Sequence, residues 1–590
     1  MPLFQLKIRR QIEIVICACL ALEPWATHGQ TASADSPPAG DPASAMSPAS
    51  QQSPNTDSEQ TEAAAAGGES EPLPVVIFQV MPAGSAAEDA ATAVLRAAVP
   101  TLGKGPTTLD EVRIWSEALT QALRNGGFPL GQVLMGQSDW LATEQGVPLT
   151  FTVFPGRISE IVIENKTRVK DARLQRLVNK ALCGSTSLEQ VCMLQTARLE
   201  RTTQLLQDVP GVAIAEPPQF APGGETGDVR VVFSLEPSGK PVQGSVAVDN
   251  KGIPTTGRYR FGFSVSGNNV FGAGESYGLS LTGTNEGMWT GSLTASMPIF
   301  DDGLRVAAGI TRQEYTVNSI ARLTGVANIA QLGLVYPIAR GLDRNVWVGA
   351  SYLHSKTKSS FDEFSVASRA TIDAARISLQ ANNGDRARQL RTNVWNRELA
   401  LTYGHQSNDS PLLDQAANIG GNYFKLAGSG FGTYGLNRSG DVFVSGRANA
   451  QIPNRNLDPS EKLIVGGPDA VRAYRPDEGS MDEGIVLNLG LYKRWSFAAG
   501  HQLQAGVFND FAFGRVNHSP WPNWELSFVG VPGVSNRRLL GGYGLGVDWL
   551  TPIGVLFSAS VSKAYGFSSP SWVEPGKKPV QYWLSVSWSM

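Results

Sequence analysis

This sequence carries little charge. Asp, Glu, Lys and Arg together make up 17 % of its 590 residues, below the roughly 25 % of an average soluble protein. The signs nearly cancel, with 49 basic and 52 acidic residues and a net charge of −3. Without a basic excess there is nothing to neutralise a phosphate backbone, so nucleic-acid binding is not expected. No stretch reaches the about 18 apolar residues that a membrane-spanning helix needs. Histidine is scarce: His28, His354, His405, His501 and His518 are dispersed without ligand spacing. Neither a Ser nucleophile elbow nor a His-Glu-x-x-His helix occurs. The glycine-rich strings Gly428-Ser429-Gly430-Phe431-Gly432 and Gly541-Gly542-Tyr543-Gly544-Leu545-Gly546 open no helical pattern and lack a following Lys-Ser/Thr. They read as strand glycines rather than phosphate loops. No enzyme activity, cofactor or metal is expected.

Only four cysteines are present, Cys17, Cys19, Cys183 and Cys192. The first two fall in an export-signal pattern: Lys7, Arg9 and Arg10 precede a short apolar run from Ile14 to Leu22. Glu13 borders that run, and the cleavage candidate Ala32-Ser33-Ala34 lies well downstream. Cys183 and Cys192 then form a candidate disulfide, whose short loop is worth about 2.5–3 kcal/mol and suits an oxidising compartment. Two unpaired core cysteines are the alternative; a zinc site lacks further ligands nearby in sequence.

What is present is a clear change of texture along the chain. At 590 residues several domains are expected. Residues 1–34 are the approximate signal peptide. Residues 35–74 are rich in Ala, Ser, Pro, Gln and Glu and read as a disordered linker, with room for a short helix around Ser58–Ala66 that could act as a plug of the pore. Residues 75–155 and 156–237 share one rhythm. In the first, Val75–Val80 reads as a strand, Ala86–Ala98 and Thr108–Asn125 as helices, and Gln132–Gln137 and Leu149–Phe154 as strands. In the second, the strand Ile158–Ile163 precedes helices at Val169–Leu182 and Leu188–Leu206, then strands at Val212–Ala215 and Val229–Leu235. The tandem β-α-α-β-β pattern predicts two small α/β modules with edge strands open to pairing.

From 238 to 590 apolar and small or polar residues alternate in short stretches, such as Tyr259–Val265, Tyr277–Thr282, Leu304–Ile310, Val346–Tyr352 and Leu556–Val561. About sixteen such stretches fit, the density of an outer-membrane barrel. A membrane protein without helical spans must close its sheet, because open edges are not tolerated in lipid. At the end, Tyr582, Leu584, Val586, Trp588 and Met590 share one face, and Ser585, Ser587 and Ser589 the other. These are a lipid face and a lumen face. The fold class is therefore an all-β transmembrane barrel of about 16 antiparallel strands, preceded by two small α/β domains.

Several strings resemble the BamA–TpsB superfamily of outer-membrane barrels, in particular its two-partner secretion branch of haemolysin and adhesin transporters. The resemblance runs from Val75 to Met590 and identifies the modules as POTRA domains. Asn125-Gly126-Gly127-Phe128-Pro129-Leu130 with Gln137 resembles the end of the first, and Gly156-Arg157-Ile158 the junction into the second. Asp249-Asn250-Lys251-Gly252, Thr256-Gly257, Arg260 and Asn269-Val270-Phe271-Gly272-Ala273-Gly274-Glu275 resemble the opening of the barrel, with Glu275 where Asp is common. Gly466-Gly467-Pro468-Asp469-Ala470-Val471-Arg472-Ala473-Tyr474-Arg475 resembles the Val-Arg-Gly-Tyr loop that folds back into the lumen, with Ala473 in place of Gly. A positive φ there would be harder for Ala. Phe508-Asn509-Asp510-Phe511-Ala512 resembles the Phe-x-Asp-x-Gly wall motif, with Ala512 in place of Gly.

The resemblance implies that Arg472 meets Asp510 in the lumen, with Val471, Ala473, Tyr474, Phe508 and Ala512 completing the two motifs. It also implies an outer-membrane pore with periplasmic N-terminal domains. Its partners would be the surrounding lipid and an unfolded exoprotein held by the POTRA domains, and its barrel would be monomeric. Rival readings are an assembly factor that inserts other barrels, a passive porin and a surface adhesin. Assembly factors generally carry three or more modules; a porin has no use for tandem modules, and no loop here is long enough for an adhesin domain.

Overall fold

The computed structural model describes residues 75–590 except 84–85, 104, 145–146, 187–190, 318–321, 362–365, 385–392, 410–416, 498–499, 523, 525–534 and 566–579. The export segment and linker expected over 1–74, with Cys17 and Cys19, lie outside the described residues. By its contacts the chain divides into two compact units, parted at Arg157 and Ile158.

The first unit contains one small sheet, in the order β1–β3–β2, with β1 (Val76–Val80) parallel to β3 (Leu149–Phe154) and β2 (Gln132–Leu134) at an edge. Two helices, α1 (Ala86–Ala98) and α2 (Leu109–Asn125), contribute Ala91, Leu95, Val112, Trp115, Leu119 and Leu123 to its core. A reciprocal Thr108–Glu111 capping box opens α2. The strand expected over Gln132–Gln137 stops at Leu134, and a third helix, α3 (Gln137–Glu144), follows. Asp139 turns the chain there by accepting from the Gly136 N–H at 3.2 Å. This short helix buries mainly Trp140, so it has no repeating apolar face to read.

The second module begins the other unit. Its sheet runs β4–β7–β5, where β4 is Arg157–Asn165, β5 Val212–Ile214 and β7 Asp228–Pro237. A further short strand, β6 (Gln219–Pro222), also pairs with β7. It was not expected, because Pro and flanking turn residues mask its pattern. Helix α4 spans Asp171–Cys183. The helix expected from Leu188 begins only at Thr196 and runs to Gln207, as α5. The apolar run before it, Cys192-Met193-Leu194, is fully buried but not helical. The Cys192 carbonyl accepts from the Ile158 N–H at 2.7 Å, and a disulfide joins Cys192 to Cys183 at the end of α4. Burial by that tether mimics a helical face in the sequence.

Sixteen antiparallel strands then close into a barrel. In chain order they are β8 (Val242–Asp249), β9 (Arg260–Asn268), β10 (Ser276–Thr284), β11 (Trp289–Pro298), β12 (Arg305–Val317), β13 (Leu323–Arg340), β14 (Asn345–Phe361) and β15 (Val366–Asn382). The ring continues through β16 (Trp395–Asn408), β17 (Gly421–Gly435), β18 (Val442–Pro453), β21 (Glu483–Ser496), β22 (Gln502–Arg515), β23 (Arg537–Leu550), β24 (Val555–Tyr565) and β25 (Val580–Ser589). Two tiny strands, β19 (Leu463–Ile464) and β20 (Ser480–Met481), pair within the connection between β18 and β21. Outward positions such as Phe263, Leu279, Leu293, Ile310, Leu332, Ile377, Leu401, Leu545 and Leu584 are exposed, which forms the lipid-facing band of a membrane barrel. The last strand alternates as expected, with Tyr582, Leu584, Val586 and Trp588 outward. It closes the ring by pairing with β8 from Ser585↔Asp249 to Ser589↔Ser245.

The second module is fixed to one mouth of the barrel. Arg340, almost fully buried at the end of β13, donates two bonds to Asp208 at 2.7 and 2.6 Å. Arg201 on α5 donates to the Pro337 carbonyl at 3.0 Å, and Arg173 on α4 pairs with Asp301 at 3.0 Å. The turn after β9 joins in, because the Gly272 carbonyl accepts from the Lys170 N–H at 3.0 Å. Within that turn, Glu275 accepts from the N–H groups of Phe271 and Ala273 at 2.5 and 2.8 Å. Burial opposes its charge, yet these amides hold the carboxyl below the usual carboxylate range.

Candidate functional site: a loop clamped inside the barrel

The connection between β18 and β21, residues 454–482, enters the lumen and packs against the inner wall. Two glycines shape its tip. A side chain at Gly466 would place its first carbon 2.2 Å from the Arg475 carbonyl, and Gly467 holds a φ of +112°. Only glycine meets both demands at low cost. The turn is then tied by Gly467 N–H to Tyr474 O at 3.0 Å and Tyr474 N–H to Val471 O at 3.0 Å.

Val471, Ala473 and Tyr474 are each fully buried. They form one apolar cluster with Val465, Ala470 and Met481 of the loop and with Val486, Ala512, Leu540 and Ala564 of four successive wall strands. Burying this apolar surface favours the docked loop by about 25 cal/mol per Å². Ala473 is not among the described non-glycine residues of positive φ, so its replacement of Gly leaves the turn unstrained. The space for its methyl comes from the wall: a first side-chain carbon built at Gly542 would lie 2.5 Å from the Ala473 Cβ. Ala512 likewise faces the lumen with its methyl in the cluster.

Arg472 points the other way, along the wall. Its Nε and Nη2 donate to Asp510 Oδ2 and Oδ1 at 2.8 and 2.7 Å, and its backbone N–H donates to Oδ2 at 3.0 Å. The guanidinium carbon lies 3.3 Å from the centre of the Phe508 ring, so the wall motif supplies both a fork for the guanidinium and an aromatic face beneath it. Asp510 is wholly buried.

Three further wall residues complete the clamp. Asn488 on β21, directly opposite Asp510, donates to Asp510 Oδ1 at 2.8 Å and to the Ala470 carbonyl at 2.7 Å. Ser562 on β24 and the Trp583 indole on β25 both donate to the Arg472 carbonyl at 2.8 Å. Both the side chain and the backbone of Arg472 are thus held, by strands spanning a third of the ring. A signal for Trp583 was available, since it is a large aromatic on the same face as Ser585, Ser587 and Ser589. Asn488 and Ser562 give no such signal until the register is known.

The loop is anchored at its base as well. Arg538 holds the buried Glu478 at 2.5 Å, Lys462 pairs with the buried Asp482 at 3.2 Å, and Lys425 of β17 pairs with Glu461 at 2.5 Å. Asp482 also accepts from the N–H groups of Leu457 and His518. Among the described residues no group of three or more His, Cys, Asp or Glu is arranged to hold a metal ion.

This chain has counterparts among known proteins. The family model described as haemolysin secretion/activation protein ShlB/FhaC/HecB matches residues 227–530, just over half of the chain, including the loop and wall motifs from Gly466 to Ala512. The chain belongs to this family. Family members are secretion pores, not enzymes, and the chain is accordingly an outer-membrane barrel. Among similar proteins is the heme/hemopexin transporter protein HuxB of Haemophilus influenzae strain 86-028NP, 20 % identical over 490 residues that cover 81 % of each chain. HuxB of strain ATCC 51907 is 21 % identical over 470 residues, 77 % of this chain and 78 % of that one. Two solved structures share the fold. CdiB from Escherichia coli has a TM-score of 0.67 at 19 % identity and covers 90 % of this chain and 93 % of its own. CdiB from Acinetobacter baumannii has a TM-score of 0.62 at 16 % identity, covering 89 % and 91 %. The family member described above therefore carries the barrel and docked loop within a secretion family.

Proposed function

We propose that this chain is the translocation pore of a two-partner secretion system, moving one unfolded exoprotein from the periplasm to the cell surface. Residues 75–155 and 156–237 act as periplasmic POTRA domains, and 238–590 form the conduit. The modules receive the exoprotein by strand addition at their open sheet edges. The segment then enters the mouth beside the second module and passes along the lumen once the Arg472 loop yields. The periplasm supplies no ATP, so folding of the exoprotein outside provides the direction. The reading requires no cofactor, no metal and no catalytic step, and a single barrel suffices for it.

The observation that carries this reading is the clamp: a closed barrel whose lumen holds a loop fixed to the wall through Arg472 and Asp510, in a family of secretion pores. The secretion family, not the inner loop alone, separates this reading from a passive porin. The test is export of the exoprotein encoded beside this chain, in cells with and without the chain, while the assembly of unrelated outer-membrane barrels is followed in parallel. Export should require the chain and other barrels should be unaffected. Unchanged export together with failing barrel assembly would overturn the proposal in favour of an assembly factor.

A further inference from the structure

The inner wall is not uniform. On β8 to β11 the lumen face alternates with the exposed apolar face and, apart from the Asp249–Arg260 ion pair at one end, carries small or polar side chains: Ser245 and Ala247, Ser264 and Ser266, Ser280 and Thr282, Ser292 and Thr294. The strand register sharpens this pattern. Ser589 of β25 lies opposite Ser245, Ser245 opposite Ser264, Ser264 opposite Ser280, Ser280 opposite Ser292, and Ser292 opposite Thr311 of β12. One level across six adjacent strands is therefore a continuous row of hydroxyls. Neighbours within it touch: Ser245 and Ser264 are 2.7 Å apart, and Thr311 donates to Ser292 at 3.2 Å. None of the six is buried.

Elsewhere the lining differs. Past Thr311 the β12 lumen face bears Tyr315, and from β13 onward the lumen face bears Ile329, Ile372, Tyr423 and Phe443, and the Arg376–Glu398 ion pair. The tip of the 454–482 loop sits on β21 to β25, and its base is tied to β17 and to residues just beyond β22 through Lys425 and His518.

We infer that the hydroxyl face of β8 to β12, with the Ser589–Thr311 row at its centre, is the track on which the extended exoprotein slides. This inference rests on the translocation reading and deepens it. An extended chain carries one N–H and one C=O per residue with no partner of its own. A hydroxyl rotates, and it donates or accepts as needed. A row of them offers each passing peptide group an exchangeable bond of small net worth, about 1 kcal/mol. The row itself offers no large apolar surface to retain an apolar side chain, and the fixed charges of β8 and β9, Asp249 and Arg260, are paired with each other. Such a wall suits a polypeptide of any sequence, provided it arrives without secondary structure. A helix or a folded hairpin has already satisfied its backbone groups and gains nothing from the row.

The test uses the full chain in cells that also make the exoprotein encoded beside it, stalled by a disulfide-closed domain fused to its C-terminus. A photo-reactive benzoyl-phenylalanine is placed singly at Ser264, Ser280 or Ser292, and for comparison at the lumen-facing Ser351, Ser429 or Ser445 on β14, β17 and β18. Adducts concentrated at Ser264, Ser280 and Ser292 are expected. Equal or stronger adducts at Ser351, Ser429 and Ser445 would overturn the track, and so would the absence of adducts from both sets while the unstalled exoprotein is still exported. Failure of the unsubstituted chain to export anything would instead overturn the translocation reading itself. As a second readout, Ser264→Leu with Ser280→Leu should slow export of the unstalled exoprotein at equal barrel abundance, whereas Ser264→Thr with Ser280→Thr should not.

Discussion

Moving one methyl group across the loop–wall contact should test how the tip is held. A first side-chain carbon at Gly542 would lie 2.5 Å from Ala473 Cβ and 3.4 Å from Val471 Cγ1, against the roughly 3.5–4.0 Å of a relaxed carbon contact. Gly542→Ala therefore overpacks the tip, at a cost of about 1–3 kcal/mol. Ala473→Gly removes a buried methyl worth about 0.8 kcal/mol and leaves a hole. Combined, the two changes transfer the methyl from loop to wall and relieve the clash. The double variant should therefore be less perturbed than Gly542→Ala alone, with a coupling of roughly 1–2 kcal/mol. At 1.4 kcal/mol per tenfold, the Gly542→Ala cost corresponds to about a 5- to 150-fold rise in undocked loop. Two assays read this population: the fraction of time a single pore in a planar bilayer spends in its higher conductance level, and the rate of trypsin cleavage at Arg475. Gly542→Ala behaving like the parent, or the double variant behaving worse than Gly542→Ala, would refute the packing account.

Two further outcomes follow from the second module. Cys183 and Cys192 should appear as one linked pair in non-reduced peptide mass analysis; replacing either by Ser should lower the stability of the module by about 2.5–3 kcal/mol, and recovery of both as free thiols from the native protein would contradict the bond. Asp208→Ala leaves the buried Arg340 without its carboxylate, at a cost of about 3–5 kcal/mol. The module should loosen from the barrel mouth, seen as faster proteolysis within residues 238–241, and an unchanged rate would mean that the ion pair does not hold it.

Much of this architecture was legible because its signals repeat. Alternation over each strand is set by the two faces of a membrane barrel, so Tyr582 to Met590 displayed both lipid and lumen positions before any register was known. Arg472 and Asp510 were legible because both sat in strings that resemble the family's loop and wall motifs, and a charge in a barrel interior needs a partner. What stayed hidden depends on register or on small size. Gly542 is one of many strand glycines until Ala473 is placed above it, and Asn488 is an ordinary polar residue until β21 is aligned with β22. The helix Gln137–Glu144 buries too little to show a period. The start of α5 was misread because Cys192 to Leu194 is buried by a disulfide tether rather than by a helical face. The row from Ser589 to Thr311 is spread over six strands, and no single segment of sequence contains it.

The most direct test of the central claim is export by the Arg472→Ala variant at the same barrel abundance as the parent. Truncation removes the fork to Asp510 and the contact over Phe508 but leaves the Arg472 carbonyl to Ser562 and Trp583. The account predicts a correctly assembled barrel, an undocked loop with altered conductance, and a marked fall in exoprotein reaching the surface. Export at the parental level from a barrel whose loop has been released would contradict it.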